Sequence, residues 1–90
     1  PRDLQATYFD MCVNMGQNRA TRILQQAINS KKGSKIQVDG RIGKNTIKGA
    51  SVVSKSRLQA YRCLFYGKIV SKQPDQERFY YGWYKRAISV

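Results

Sequence analysis

Apolar residues recur at helical spacing in several separate stretches of the chain. The clearest pattern is a stripe at Ala20, Ile23, Leu24, Ala27 and Ile28, which follows the i, i+3, i+4, i+7, i+8 spacing of one buried helix face. The predicted helices span residues 4–15, 19–29, 44–50, 58–69 and 79–87. The fourth of them carries its apolar side chains at Leu58, Tyr61, Phe65 and Ile69. We therefore predict an all-α chain with four to five short helices and one irregular loop.

Glycine-containing segments separate the predicted helices. Gly16 ends the first helix, because glycine readily adopts the positive φ found at helix C-termini. The Gly- and Lys-rich loop 29–43 has no helical pattern, and its short apolar piece at 36–38 favours extended backbone. Asp39-Gly40 in the same loop predicts a tight turn. No linker is long enough to divide the chain, so we expect a single domain.

The chain carries a large excess of positive charge. Seventeen Lys and Arg against five Asp and Glu give a formal net charge of +12. Such a charge attracts polyanions at long range, so the candidate partners are nucleic acid, an anionic lipid surface and an anionic bacterial cell wall. A basic surface can also function only to keep a protein soluble, so the charge alone does not identify the partner. No stretch approaches the about 20 apolar residues of a membrane span.

The reactive side chains exclude several classes of enzyme. Histidine is absent and Cys12 and Cys63 are the only cysteines, which excludes His-based triads and zinc sites built on histidine or on four cysteines. Both cysteines fall in predicted helices, where buried free thiols are expected, and a disulfide between them is the alternative. The five carboxylates are Asp3, Asp10, Asp39, Asp75 and Glu77. None forms a recognisable acid/base pair, so we predict no catalytic residue, no metal site and no cofactor.

Asp10 stands out among these carboxylates because it lies in the middle of a predicted helix. Aspartate is unfavourable there unless its side chain finds a partner. A buried pair with an arginine, such as Arg19 or Arg86, is the expected role. A contact with substrate is the alternative.

The C-terminal run at 79–86, FYYGWYKR, is unusually aromatic. Trp83 suits a hydrophobic core, whereas Tyr80 and Tyr84 fall on other faces of the predicted helix. Aromatic faces beside cations stack on sugars or on unpaired bases. Gly82 within a helix indicates close packing or the approach of a ligand. Either a large aromatic core or a binding surface explains the run.

Three segments together resemble a known family. The segment DGRIGKNTI at 39–47 resembles the DG-x-x-G-x-x-T turn and helix of bacterial peptidoglycan-binding modules. Residues 8–27 and the GWYKRA segment at 82–87 are similar to the C-terminal predicted peptidoglycan domain of glycoside hydrolase family 108. That family includes muramidase-like secretion activators and phage endolysins. The similarity runs in order over nearly the whole chain.

This resemblance implies a fold and the location of the catalytic residue. Family members pair this region with an N-terminal segment that carries a catalytic Glu in a Glu-x-Gly-Gly setting, and the two parts form one lysozyme-like α+β fold. The present sequence has no Glu before Glu77 and no such motif, so it corresponds to the helical half without its acid. The chain alone is expected to be non-catalytic. Its parent protein is expected to be a glycoside hydrolase of the lysozyme or N-acetylmuramidase type.

The resemblance also implies roles for individual residues. Asn14 and the Gly16 turn are expected to face the glycan groove, and Asp10 and Arg19 to hold a helix pair together. The predicted substrate-binding residues are Asn14, Gly16, Gln25, Tyr80 and Tyr84. The two tyrosines are included for their aromatic faces, although the resemblance gives Tyr80, like Trp83 and Arg86, a partly structural role. The predicted structural residues are Asp10, Arg19, Asp39, Gly40, Gly43, Thr46, Gly82, Trp83 and Arg86.

Three functional hypotheses follow. The leading one is a single helical domain over residues 1–90 that binds peptidoglycan for a bacterial or phage cell-wall muramidase. Its expected partners are peptidoglycan and the N-terminal catalytic segment of the parent protein, and its expected location is the cell envelope, the secreted fraction or the wall of a phage host. The second is a basic nucleic-acid-binding domain, because helices 4–15 and 19–29 with a glycine turn echo helix-turn-helix geometry. The third is a structural lobe of the hydrolase without ligand contacts.

Overall fold

Four helices form most of the described part of the chain. The computed structural model describes residues 2–31, 33, 35–72 and 85. Its helices are α1 (Arg2–Met15), α2 (Gln17–Asn29), α3 (Lys44–Ala50) and α4 (Lys55–Lys72). No strand occurs among these residues, which confirms the all-α prediction. The predicted fifth helix, 79–87, lies outside the described residues apart from Lys85.

A glycine corner joins α1 to α2. Gly16 has a φ of +91°, a conformation that residues with a Cβ rarely adopt. Its amide donates to the Cys12 carbonyl at 2.9 Å, and its carbonyl accepts the Ala20 amide at 3.1 Å. The end of α1 and the start of α2 therefore share one residue, and Gly16 ends the first helix as predicted.

The second helix, α2, is the centre of the fold. It packs against α1, α3 and α4, and its predicted apolar stripe is fully buried. The buried hydrophobic core consists of Leu4, Met11, Ala20, Ile23, Leu24, Ala27, Ile28, Val53 and Leu58. Because α2 has neighbours on three sides, its buried arc also includes the polar residues Thr21 and Gln25. Thr21 Oγ1 donates to the Gln17 carbonyl at 2.7 Å and lies 2.6 Å from the hydroxyl of Tyr8, which ties α1 to α2.

The buried face of α4 differs from the predicted one. Leu58, Arg62 and Tyr66 are buried at i, i+4 and i+8, whereas Tyr61 and Phe65 are half-buried. The buried face of α4 is therefore rotated around the helix axis relative to the predicted stripe of apolar side chains, and an arginine lies at its centre. The rotation is explained by the carboxylate that this arginine meets on α1.

Asp10 and Arg62 form a buried ion pair between α1 and α4. Arg62 Nη2 lies 2.8 Å from Asp10 Oδ2, and the two side chains are 0% and 8% exposed. Arg62 Nε also donates to the hydroxyl of Tyr66 at 2.9 Å. Arg19, which we expected beside Asp10, is exposed on α2, and Arg86 lies outside the described residues. The pair restricts how α1 and α4 pack, because a buried charge tolerates only a close and oriented partner.

Both cysteines are free thiols. Cys12 and Cys63 are half-buried, on α1 and α4 respectively. Burial raises the pKa of the Cys63 thiol, with the nearby Arg62 charge opposing that shift. Cys63 is therefore protonated and weakly nucleophilic at neutral pH. Among the described residues, no helix is long and apolar enough to cross a membrane, and no cluster of three metal-ligating side chains occurs.

Two helical glycines give a matched test of the packing of α3 on α2. A Cβ on Gly49 of α3 would lie 2.6 Å from Ile28 Cγ2, whereas a Cβ on Gly67 of α4 would meet nothing within 4 Å. We expect Gly49→Ala to lower the free energy of unfolding by about 1–3 kcal/mol through overpacking. Gly67→Ala should raise it by up to about 1 kcal/mol through helix propensity. Urea denaturation of both variants measures these changes. Equal changes in the free energy of unfolding would contradict the close packing of α3 on α2 at Gly49.

Candidate functional site

The loop before α3 bends sharply at the predicted turn. Asp39 Oδ1 accepts the Arg41 amide at 2.9 Å, which closes a small ring within the loop. Gly40 has a φ of +77°, and a Cβ there would lie 2.7 Å from Cγ of Asn18 on α2. The positive φ favours glycine here, and any larger residue would also have to displace the Asn18 side chain. The turn therefore sits directly against α2.

Gln25 holds this turn from inside the protein. Its side chain is 1% exposed. Its Oε1 accepts the amides of Asp39 and Gly40 at 3.1 and 3.0 Å. Its Nε2 donates to Asp39 Oδ1 at 3.0 Å, to the Arg41 carbonyl at 3.0 Å and to Thr46 Oγ1 at 3.1 Å. Both amide atoms are thus engaged within the chain, so the Gln25 side chain holds the loop that borders the site. Its predicted contact with substrate stays a prediction.

The rest of the DG-x-x-G-x-x-T segment has structural roles that follow from the same contacts. Thr46 is buried, with its hydroxyl between Gln25 and the Arg41 carbonyl. Gly43 precedes α3, and its carbonyl accepts the Ile47 amide at 3.0 Å. Together these contacts fix the start of α3 relative to α2.

A second amide, one helical turn further along α2, holds the middle of the loop. Asn29 Nδ2 donates to the Ile36 carbonyl at 2.8 Å, and Asn29 Oδ1 accepts the Ile36 amide at 2.7 Å. The predicted extended piece at 36–38 therefore pairs with a side chain and has no strand partner among the described residues. We did not assign Asn29 from the sequence. Its i, i+4 spacing from Gln25 was the available signal, since it places both amides on one face of α2.

The carboxylate of Asp39 is stabilised in its charged form. The Arg41 backbone amide lowers its pKa most, followed by the side-chain amide of Gln25. The Asp39 carboxylate is therefore ionised at neutral pH, and its Oδ1 accepts hydrogen bonds from the Arg41 amide and from Gln25 Nε2. This arrangement leaves the cations of the loop as the groups that face outward.

These contacts border a polar cleft of about 210 Å³ beside α3. It is lined by Gln25, Ile36, Gln37, Asp39, Arg41, Gly43, Lys44, Asn45 and Thr46. Of these, Gln37, Arg41, Lys44 and Asn45 are exposed, whereas Gln25 and Thr46 form the buried floor. The cleft thus presents two cations and two amides to solvent on a floor held by internal hydrogen bonds. Such a site suits a polar ligand with negative charge.

The other predicted site residues lie elsewhere. Asn14 is exposed on α1, where its Nδ2 donates to the Asp10 carbonyl at 2.8 Å, and Gly16 is exposed at the corner. Neither residue lines this cleft. The remaining predicted residues, Tyr80, Gly82, Trp83, Tyr84 and Arg86, lie outside the described residues. The structure therefore brings together Gln25, Asp39, Gly40, Gly43 and Thr46, and does not bring Asn14 or Gly16 to them.

Comparison with known proteins gives one match. A family model described as a predicted peptidoglycan domain matches residues 19–88, which include nearly all of α2, the loop, α3 and α4. Neither the curated proteins nor the solved structures provide a match. The matched region contains all the described residues that line the polar cleft and covers well over half of the chain. The chain therefore belongs to the family of predicted peptidoglycan domains.

Proposed function

We propose that this chain is a peptidoglycan-binding module and that the polar cleft beside α3 contacts the polymer. Membership of the peptidoglycan-domain family is the observation that carries the proposal. The cleft supports it, because Arg41 and Lys44 lie on its rim and the polymer is anionic. The net charge of +12 steers the chain toward a negatively charged wall. The corresponding location is the bacterial cell envelope or its exterior.

The module is non-catalytic by itself in this proposal. Hydrolysis of a glycosidic bond uses a pair of carboxyl groups that flank the scissile bond. The carboxylates of the described residues have other partners: Asp3 accepts the Leu4 amide, Asp10 pairs with Arg62, and Asp39 closes the turn. The resemblance to glycoside hydrolase family 108 supports a further step, in which another segment of a muramidase-like parent supplies the catalytic acid. Asn14 and Gly16 remain predictions for the groove of that parent.

The nucleic-acid alternative is not supported. A helix-turn-helix protein places its second helix in the major groove of DNA, so that helix must present an exposed face of base-reading side chains. Here the second helix is the central element of the core, with Thr21 and Gln25 buried among its apolar residues. The helix that we compared with a recognition helix therefore packs inside the fold on three sides.

Sedimentation with purified peptidoglycan sacculi tests the proposal. We expect the wild-type chain to pellet with sacculi and Lys44→Gln to bind about fivefold more weakly, the effect of losing about 1 kcal/mol from one close charge pair in water. Lys68→Gln removes an equal charge from the exposed side of α4 and serves as the matched control. Wild-type protein that stays in the supernatant would overturn the proposal and favour a structural lobe. If both variants lost the same affinity for sacculi, the polar cleft would not be the contact surface.

A further inference from the structure

A second cavity, mostly apolar, shares Thr46 with the polar cleft as a lining residue. This groove has a volume of about 310 Å³ and runs between α1 and α3. Its lining residues are Leu4, Gln5, Tyr8, Leu24, Ile42, Thr46, Ile47, Ala50 and Ser51. Ile42 and Ile47 are 42% and 64% exposed, which is high for large aliphatic side chains beside a cavity. The groove therefore offers uncovered apolar surface of a size suited to a short stretch of small side chains.

The groove and the polar cleft are neighbours along the chain and in space. Thr46 lines both cavities. Arg41 of the cleft precedes Ile42 of the groove, and Lys44 of the cleft is one turn before Ile47 on α3. An extended ligand that lies across Thr46 would meet aliphatic surface at one end and two cations at the other.

We infer that the groove and the cleft together bind the peptide stem of peptidoglycan, with alanine methyl groups in the groove and stem carboxylates on Arg41 and Lys44. This inference rests on the proposed function and names the part of the polymer that is recognised. The aliphatic walls favour methyl groups over sugar rings, since sugars stack best on exposed aromatic faces. Among the described residues that line the groove, the only aromatic side chain is that of Tyr8, which is half-buried with its hydroxyl 2.6 Å from Thr21 Oγ1.

Charge complementarity distinguishes this occupant from a second copy of the chain. Two copies would each carry a formal net charge of +12 over the whole chain, and this repulsion disfavours their association. The stem peptide brings carboxylates, which match Arg41 and Lys44. A negatively charged, alanine-rich peptide thus satisfies both the apolar and the cationic part of the surface.

The test compares intact sacculi with sacculi from which an amidase has removed the peptides. We expect about tenfold weaker binding to the stripped glycan, and about tenfold weaker binding of Ile47→Ser to intact sacculi, because covering a large aliphatic side chain contributes on this order. Ile47→Ser should bind stripped glycan as the wild type does. Val13→Ser is the matched control, since Val13 is a 67% exposed aliphatic residue of α1 outside the groove. Circular dichroism verifies that both variants are folded.

Each outcome separates this inference from the proposed function. Equal affinity of the wild type for stripped and intact sacculi would overturn the inference and leave peptidoglycan binding in place. The inference would also be overturned if Ile47→Ser bound intact sacculi as tightly as the wild type, or if Val13→Ser lost as much affinity as Ile47→Ser. Failure of the wild type to bind intact sacculi would overturn both.

Discussion

Replacing Arg62 with methionine is expected to lower the free energy of unfolding by about 3–5 kcal/mol, because it leaves the Asp10 carboxylate buried without its guanidinium partner. The two groups are 2.8 Å apart with side chains 8% exposed or less. The hydroxyl of Tyr66 also loses a donor at 2.9 Å. Small domains are stable by only about 5–15 kcal/mol, so this single change removes a large share of the total. Urea denaturation followed by circular dichroism measures the loss.

Two further variants separate the ion pair from other effects of the substitution. Arg22→Met removes an exposed arginine of α2 whose Nε donates to Asn18 Oδ1 at 2.9 Å, and should change stability by about 0.5 kcal/mol or less. The double variant Asp10→Asn/Arg62→Met should lose less than the sum of the two single variants, because no buried charge remains without its partner. A loss below about 1 kcal/mol for Arg62→Met would show that the pair is not a determinant of the fold.

Replacing Gln25 with alanine is expected to cost about 3 kcal/mol of stability and to abolish the specific part of peptidoglycan binding. The change leaves the amides of Asp39 and Gly40 without their acceptor, and each buried group that loses its partner costs about 1–3 kcal/mol. The turn would then separate from α2, and the cations at Arg41 and Lys44 would lose their fixed positions. Urea denaturation and sedimentation with sacculi, at a temperature where the variant is folded, measure the two effects.

The neighbouring glutamine provides the control for this experiment. Gln26→Ala removes the same side chain from the exposed face of α2 and should leave both stability and binding within about 0.5 kcal/mol of the wild type. If Gln25→Ala folds and binds as Gln26→Ala does, the hydrogen bonds of Gln25 do not organise the cleft.

The helices were predictable because their signals are local. The stripe on α2 and the glycine at its start identify that helix, and α3 has the bounds Lys44–Ala50 that its sequence indicates. The Asp39-Gly40 turn was predictable because Asp and Gly favour tight turns in any protein. Each of these elements depends on a few neighbouring residues, so a single sequence suffices to recognise it.

The polar interior was not predictable in the same way. Gln25 flanks the apolar stripe of α2 and looks like a surface residue, yet packing on three sides of α2 buries it. Arg62 is one of 17 basic residues, and no local pattern pairs it with a carboxylate 52 positions earlier. Both residues depend on contacts that form only when distant segments pack together. The turn that borders the candidate cleft was therefore foreseen, whereas the internal hydrogen bonds by which Gln25 organises it were not.

We propose that the chain recognises peptidoglycan itself and not merely its negative charge. A binding isotherm to purified sacculi, measured at low and raised salt with excess duplex DNA as competitor, tests this claim most directly. We predict that a saturable component persists in raised salt and is not displaced by DNA, because hydrogen bonds to the exposed amides of the cleft depend on salt less than contacts to its exposed cations do. Binding that disappears with salt and is fully displaced by DNA would contradict the claim and reduce the interaction to nonspecific electrostatics.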